Sequence, residues 1–97
     1  MRLDLTKRAL QDLRDARKWF EAQRKGLGDR VYDDVASTID RVLANPHACA
    51  EWQPGVRSAR CREFPYRVVY RIKADTVRVL AVYHLRRNPA DWDRPNR

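Results

Sequence analysis

The spacing of apolar residues changes once along this chain, and that change limits the possible fold more than any other feature. Up to residue 45, apolar residues recur every three or four positions, which is typical of amphipathic helices. From residue 56 onward they alternate with polar residues, which is typical of strands with one buried face. The chain therefore predicts an α+β fold in which a helical first half packs on a sheet from the second half.

The helical half predicts a hairpin of two helices over residues about 7–45. Thr6 is placed to cap the first helix, which we expect to end near Lys25 with Gly26 as its C-cap residue. Asn45-Pro46 ends the second helix. The apolar positions of the two helices are Ala9, Leu13, Ala16 and Phe20, then Leu27, Val31, Val35, Ile39 and Val42.

The rest of the chain predicts an antiparallel sheet in a β-α-α-β-β-β order. Residues 2–5 form a short edge strand, residues 46–55 are irregular, and residues about 56–84 form a β-meander with a turn at 73–76. A basic tail, residues 85–97, follows within the same single domain. Val68, Tyr70 and Ile72 should face inward, with Arg67, Val69 and Arg71 facing outward. On the following strand, Val77, Val79 and Ala81 alternate with Arg78, Leu80 and Val82.

The charge of the chain is uneven along its length. The formal net charge is +8, yet residues 1–56 hold 10 Lys/Arg against 9 Asp/Glu, whereas residues 57–97 hold 11 against 4. This asymmetry indicates a polyanionic partner, either nucleic acid or an acidic protein segment, although a solvated face that aids solubility is the alternative. A DNA-binding helix-turn-helix is disfavoured because the second helix carries Asp29, Asp33, Asp34 and Asp40.

Several classes of protein are disfavoured by what the sequence lacks. No apolar run is long enough to span a membrane and the N-terminus has no apolar signal core, so we expect a cytoplasmic protein with no membrane contact. Cys49 and Cys61 lack CxxC spacing and are interpreted as free thiols. His47 and His84 have no flanking ligand pattern, so neither a metal nor a cofactor is expected.

Four blocks of the sequence carry a resemblance to a known family. They are GLGDRVYDDV, NP, FPYRVVYRI and VLAVYHLRRNPADW, in this order over nearly the whole chain. Together they resemble the ParE/RelE superfamily of type II toxin–antitoxin toxins, and the ParE branch in particular. The resemblance implies a toxin, often linked to plasmid stabilisation, that is neutralised by a cognate antitoxin whose acidic segment folds on binding. Candidate antitoxin contacts are Trp19, Tyr32 and Trp52, for which ordinary packing is an equal alternative.

Two activities occur within the superfamily that the chain resembles. ParE-like members inhibit DNA gyrase and block replication without catalysis. The residues that would bind such a target are Arg60, Arg67, His84, Arg86, Arg87 and Trp92. RelE-like members cut mRNA on the ribosome, which needs a base, an acid and cations. The residues that would serve here are Arg60 and Arg67 as cations, Tyr83 or His84 as acid or base, and Glu51 as base.

The first activity is favoured over the second. The predicted strands lack the several lysines of RelE-type sites, and the segment HLRRNPADW is more similar to the ParE branch. A third interpretation is a domain whose basic face simply binds nucleic acid, with an affinity that falls steeply with salt.

Overall fold

The protein is a two-layer α+β domain in which a helix hairpin packs on a five-stranded sheet. The structure is a computed structural model that describes residues 1–86. Its elements are β1 (Arg2–Leu5), α1 (Lys7–Gln23), α2 (Leu27–Ala44), β2 (Glu51–Gln53), β3 (Val56–Arg60), β4 (Tyr66–Lys73) and β5 (Thr76–His84). The strand order across the sheet is β1-β5-β4-β3-β2. The predicted fold class is thus confirmed.

The helix termini follow the capping residues of the sequence, with one exception. Thr6 Oγ1 accepts a hydrogen bond from the Ala9 N–H (3.0 Å) and donates one to the Leu80 carbonyl (2.9 Å), so it caps α1 and ties it to β5. The predicted role of Gly26 is wrong. Helix α1 ends two residues before Lys25, and Gly26 is the N-cap of α2 with a φ of 93°. A positive φ favours glycine equally in either role.

The junction between the helices is held by the carboxylate of Glu21. It accepts hydrogen bonds from the N–H groups of Gly26 (3.1 Å) and Gly28 (3.0 Å), and so satisfies donors at the start of α2. Gly28 is buried, and a Cβ atom there would lie 2.9 Å from the Arg17 carbonyl oxygen. The close approach of α1 and α2 therefore depends on the missing side chain.

The sheet differs from the prediction at both edges. Strand β1 lies parallel to β5, with Leu3 opposite Val77, so the sheet is mixed and not wholly antiparallel. Short hairpins force antiparallel neighbours, whereas the long helical crossover after β1 permits a parallel one. At the other edge, Glu51–Gln53 forms β2 and pairs with β3, although residues 46–55 were predicted to be irregular. The breakers Pro54 and Gly55 form the turn after it.

A bulge in β5 changes which of its residues reach the core. Val69 lies opposite Ala81, but Tyr70 lies opposite Val79, so Leu80 is an extra residue in the ladder. Beyond it Val82 joins the core, and Ala81 turns to the other face. The predicted alternation, which grouped Ala81 with Val77 and Val79, is therefore wrong beyond Leu80, because one extra residue reverses the alternation.

The two faces of the sheet have different surroundings. The face toward α1 and α2 carries the main core, including Val68, Tyr70, Val79 and Val82. The opposite face carries a smaller apolar cluster of Val56, Val69, Ala81 and Tyr83, to which neither helix contributes. In the part of the chain that the structure describes, no helix is long and apolar enough to cross a membrane.

Candidate functional site

Among residues 1–86, the excess positive charge is located on strands and loops and not on helices. Helices α1 and α2 together carry seven Lys/Arg and seven Asp/Glu. The five strands carry seven Lys/Arg against two Asp/Glu. An anionic partner would therefore be attracted to the sheet side of the molecule.

Four of these cations form two pairs on the sheet face that points away from the helices. Arg60 lies directly opposite Arg67 on β3 and β4, and Arg71 lies directly opposite Arg78 on β4 and β5. We call this surface the basic sheet face and define it by these four arginines. Like charges directly opposite each other on neighbouring strands destabilise a sheet. The basic sheet face therefore concentrates positive charge that an anionic partner could neutralise.

Little within the described chain neutralises the basic sheet face. Among residues 1–86, only Arg78 of the four arginines has an acidic partner, Asp4, with 3.6 Å between Nη1 and Oδ2 and both side chains more than half exposed. An exposed pair of this kind contributes little. Arg67 donates to Ser58 Oγ at 3.2 Å, which fixes the direction of its guanidinium group.

A groove lies at the Arg60–Arg67 end of the basic sheet face. Its volume is about 530 Å³. It is lined by Cys49, Ala50, Glu51, Trp52, Ser58, Arg67, Tyr83 and Leu85. Trp52 is 45% exposed, and its ring centroid is 6.4 Å from that of Tyr83. The groove thus presents an aromatic wall beside a guanidinium group, an arrangement that suits a flat apolar group with an adjacent negative charge.

The structure brings some predicted site residues together and separates others. Arg67, Tyr83 and Glu51 line the same groove, and Arg60 lies beside it. His84 does not join them, because alternation along β5 places it against Tyr66 on the helix side, with 5.0 Å between ring centroids. Its Nδ1 accepts the backbone N–H of the exposed Arg86 at 3.0 Å. The predicted contacts Arg87 and Trp92 lie outside the described residues.

Glu51 is already engaged by a cation. Its carboxylate lies 3.8 Å from Nη2 of Arg57, whose guanidinium group also donates to the carbonyl oxygens of His47 and Cys49. The two hydrogen bonds to carbonyl oxygens hold the loop that precedes β2 against β3. The position of Trp52 on the groove wall therefore depends on Arg57, which the sequence pattern did not single out.

The Arg71–Arg78 pair is also missing from the predicted site. The pairing of Arg71 with Arg78 could have been predicted from the sequence, because residues 71 and 78 are equally distant from the turn at 73–76. A hairpin with this turn must place them opposite each other, as the register shows. Ser58 carried no such signal, since a serine on a strand is common and its role depends on the neighbouring Arg67.

The three predicted antitoxin contacts do not share one surface. Trp19 on α1 is 57% exposed and contacts Phe20 edge-on at 4.8 Å. Tyr32 on α2 is 38% exposed, with the guanidinium carbon of Arg17 4.8 Å from its ring centroid. Trp52, by contrast, lies in the groove on the other side of the sheet. Two candidates thus belong to the helix layer and one to the groove.

Asp34 holds the turn that separates the two strands of the Arg60–Arg67 pair. It is only 7% exposed, and its carboxylate accepts the backbone N–H groups of Arg62 (3.2 Å), Glu63 (3.0 Å) and Phe64 (2.7 Å). Of the four carboxylates that α2 carries, Asp34 is therefore buried and is not presented to solvent. A carboxylate at this position fixes the β3–β4 turn relative to α2, and with it the end of the basic sheet face.

Two buried titratable groups, Cys61 and Tyr70, lie in the main core and do not belong to the basic sheet face. Burial raises the pKa of the Cys61 thiol to about 11, against a weaker opposing effect of a hydrogen bond with Thr38. Burial also raises the pKa of Tyr70, whose hydroxyl donates to the Pro46 carbonyl at 2.8 Å. Within residues 1–86, no three His, Cys, Asp or Glu side chains lie close enough to hold a metal ion.

Comparison with known proteins gives one family and several similar folds. A family described as the ParE toxin of type II toxin–antitoxin systems, parDE, matches residues 3–89. The chromosomal ParDE system of P. aeruginosa has a chain of similar structure, with a TM-score of 0.78 and 20% identity over 88% of this chain and 96% of that one. No curated protein matches significantly.

Two structures from E. coli are also similar. The intact RelBE toxin–antitoxin complex gives a TM-score of 0.65 and 24% identity, covering 89% of this chain and 98% of that one. The isolated RelE toxin gives a TM-score of 0.65 and 23% identity, and the match covers 95% of this chain and 92% of that one. At these identities the likeness shows a shared fold.

Proposed function

The chain belongs to the ParE toxin family of type II toxin–antitoxin systems, and from this premise we propose that it binds DNA gyrase and thereby blocks replication. The binding site is the groove together with the Arg60–Arg67 pair. Inhibition by binding needs no catalytic group, so no residue is assigned a catalytic role in this proposal.

One observation carries the proposal. The groove combines an exposed tryptophan, a tyrosine and an arginine around a concave site, and these three residue types dominate the binding energy of protein interfaces. The Arg60–Arg67 pair beside it adds positive charge that anionic groups of the gyrase–DNA complex can neutralise through bidentate contacts. A protein that offers an apolar anchor, and that itself holds a polyanion beside that anchor, therefore fits this site.

We also propose that an antitoxin neutralises this toxin by binding to it. One similar structure is a toxin–antitoxin complex and another comes from a ParDE system, which supports an antitoxin partner for this chain. We place its apolar contacts on the helix layer, at Trp19 and Tyr32, and its acidic residues on the sheet side, where the excess charge lies. Trp52 would then serve either partner. Both encounters would take place in the cytoplasm.

A second candidate function, ribosome-dependent cleavage of mRNA, is supported by the same groove. Arg67 and Tyr83 lie together there, so a cation that stabilises phosphorane charge would sit beside a hydroxyl that protonates the leaving oxygen. Glu51 would act as the base for the 2′-hydroxyl. Its ion pair with Arg57 lowers its availability, and no lysine lines the groove, so this function ranks second.

A supercoiling assay with purified toxin tests the first function. Wild-type protein should inhibit gyrase, and R60A/R67A should raise the concentration for half inhibition by about tenfold or more, the loss expected for hot-spot residues. The control R14A/K18A removes the same charge from the exposed side of α1 and should inhibit like wild type. Full gyrase activity at a large excess of wild-type toxin would contradict the proposal.

Primer extension on translated mRNA distinguishes the second function. Gyrase inhibition predicts no cuts positioned by codons in induced cells. Cuts that appear with wild-type toxin and disappear with Y83F would contradict gyrase inhibition as the function and support cleavage of mRNA. Growth arrest on induction, with rescue by the antitoxin gene, is expected under both functions and serves as the control for expression.

A further inference from the structure

We propose that the basic sheet face binds the backbone of duplex DNA, with each arginine pair contacting the phosphates on one side of a groove of the double helix. The choice of DNA as the polyanion rests on the proposed function, because gyrase acts on DNA. The toxin would then contact gyrase through its groove and the enzyme-bound DNA through its arginine pairs.

The spacing of the two pairs matches this partner. Arg67 and Arg71 are four residues apart on β4 and point to the same face, which separates the pairs by about 13 Å at the usual rise per residue. The major groove of B-DNA is about 12 Å wide. Two pairs at this distance can therefore meet two phosphate rows at once, and each guanidinium fork suits the phosphate oxygens.

The surface between the pairs is also better suited to phosphates than to a protein. Val69 and Ala81 lie between the pairs and are fully buried, so neither side chain projects as an apolar anchor for a protein. Arg60, Arg71 and Arg78 are exposed. Phosphate contacts need little burial of the arginine, because much of their free energy comes from release of counterions.

The Arg71–Arg78 pair is separate from the groove assigned to gyrase. The groove lies at the end of β4 that carries Arg67, whereas Arg71 and Arg78 lie near the turn at residues 73–76. Lys73 and Arg2 add charge at this end, and Asp75 and Asp4 remove some through exposed pairs at 3.8 and 3.6 Å. The two ends of the face can therefore be tested by separate substitutions.

Fluorescence anisotropy with a labelled 20-base-pair duplex tests the inference in the absence of gyrase. If four arginines each contact a phosphate, the logarithm of the binding constant should fall against the logarithm of salt concentration with a slope of about −3.6 between 50 and 200 mM NaCl. R71A/R78A should weaken binding and reduce the slope to about −1.8. The charge-matched control R14A/K18A, on the exposed side of α1, should leave the slope unchanged.

Four results would overturn the inference. They are a slope near zero, an equal loss in R71A/R78A and in the control, equal binding of the single strand, or equally tight binding to polyglutamate of the same charge. Equal binding of the single strand would refute contact with two phosphate rows, and tight binding to polyglutamate would assign the face to an acidic protein. Toxin that binds duplex DNA as expected but never inhibits gyrase would refute the proposed function alone. Toxin that inhibits gyrase without duplex binding would refute this inference alone.

Discussion

Replacement of Asp34 by alanine should destabilise this protein more than any change to an exposed acidic residue. The carboxylate accepts three backbone N–H groups from the turn between β3 and β4. The Phe64 N–H is the most buried of the three and has the shortest bond, 2.7 Å. Without Asp34 that donor stays unpaired inside the fold, whereas the other two can regain partial contact with water.

The expected loss follows from these contacts. A buried donor left without a partner costs about 1–3 kcal/mol, and each of the two more exposed donors adds about 0.5–1 kcal/mol. The D34A variant should therefore lose about 3 kcal/mol of unfolding free energy. For a domain of this size, that lowers the midpoint temperature by about 12–24 °C. D34N keeps one acceptor oxygen and should lose less, about 1.5–2 kcal/mol.

Urea unfolding followed by circular dichroism measures the loss, with D33A as the matched control. Asp33 is the exposed neighbour of Asp34 on α2, so its replacement should change stability by no more than about 0.5 kcal/mol. Hydrogen exchange adds a local readout, since the amides of residues 62–64 should lose protection before the rest of the sheet. If D34A is no less stable than D33A, the carboxylate does not hold the turn and the argument fails.

Two further predictions concern the helix junction and the thiols. G28A should lose about 1–3 kcal/mol, because the added Cβ would lie 2.9 Å from a carbonyl oxygen of α1 and the helices must move apart. G26N is the control, because a Cβ at residue 26 meets nothing within 4 Å and asparagine tolerates the positive φ. Thermal unfolding measures the stability of both variants. A loss of stability in G26N similar to that in G28A would contradict the close-contact explanation. Because burial raises the pKa of Cys61 to about 11, its thiol should stay protonated and unreactive toward a disulfide reagent at pH 8, whereas the half-buried Cys49 reacts. The pKa of Cys61 in the folded protein lies above the ordinary thiol value of 9.0, so Cys61 contributes stability below about pH 9 that is lost as the pH rises toward 11. Equal labelling of both thiols in the native protein would contradict this.

The local features of the fold followed from sequence because each depends on neighbours along the chain. Thr6 caps α1 through a bond to a residue three positions later. On β4, alternation alone assigned Val68 and Tyr70 to the core and Arg67 and Arg71 to the other face, as the structure shows. Helix periodicity and strand alternation are local properties, so a single sequence carries them.

The features that sequence reasoning missed depend on contacts between distant segments. Leu80 looks like any strand residue, and only the pairing of β5 with β4 makes it a bulge that exchanges the faces of Ala81 and Val82. Asp34 looks like a surface acid of α2, and only the packing of the β3–β4 turn on that helix surrounds it with N–H groups. Neither partner is near in sequence, so no local pattern reveals the contact.

The sequence by itself determined the two layers, the helix hairpin and the concentration of arginine in the last two-fifths of the chain. The tertiary structure alone decided that β1 joins β5 in parallel and that His84 turns away from the groove. It also joined Trp52 to Tyr83 and Arg67, three side chains from three different strands. The physical reason is that periodicity specifies which face of an element is apolar, whereas register and crossover specify which faces meet. Register and crossover are fixed by packing free energy summed over the whole domain.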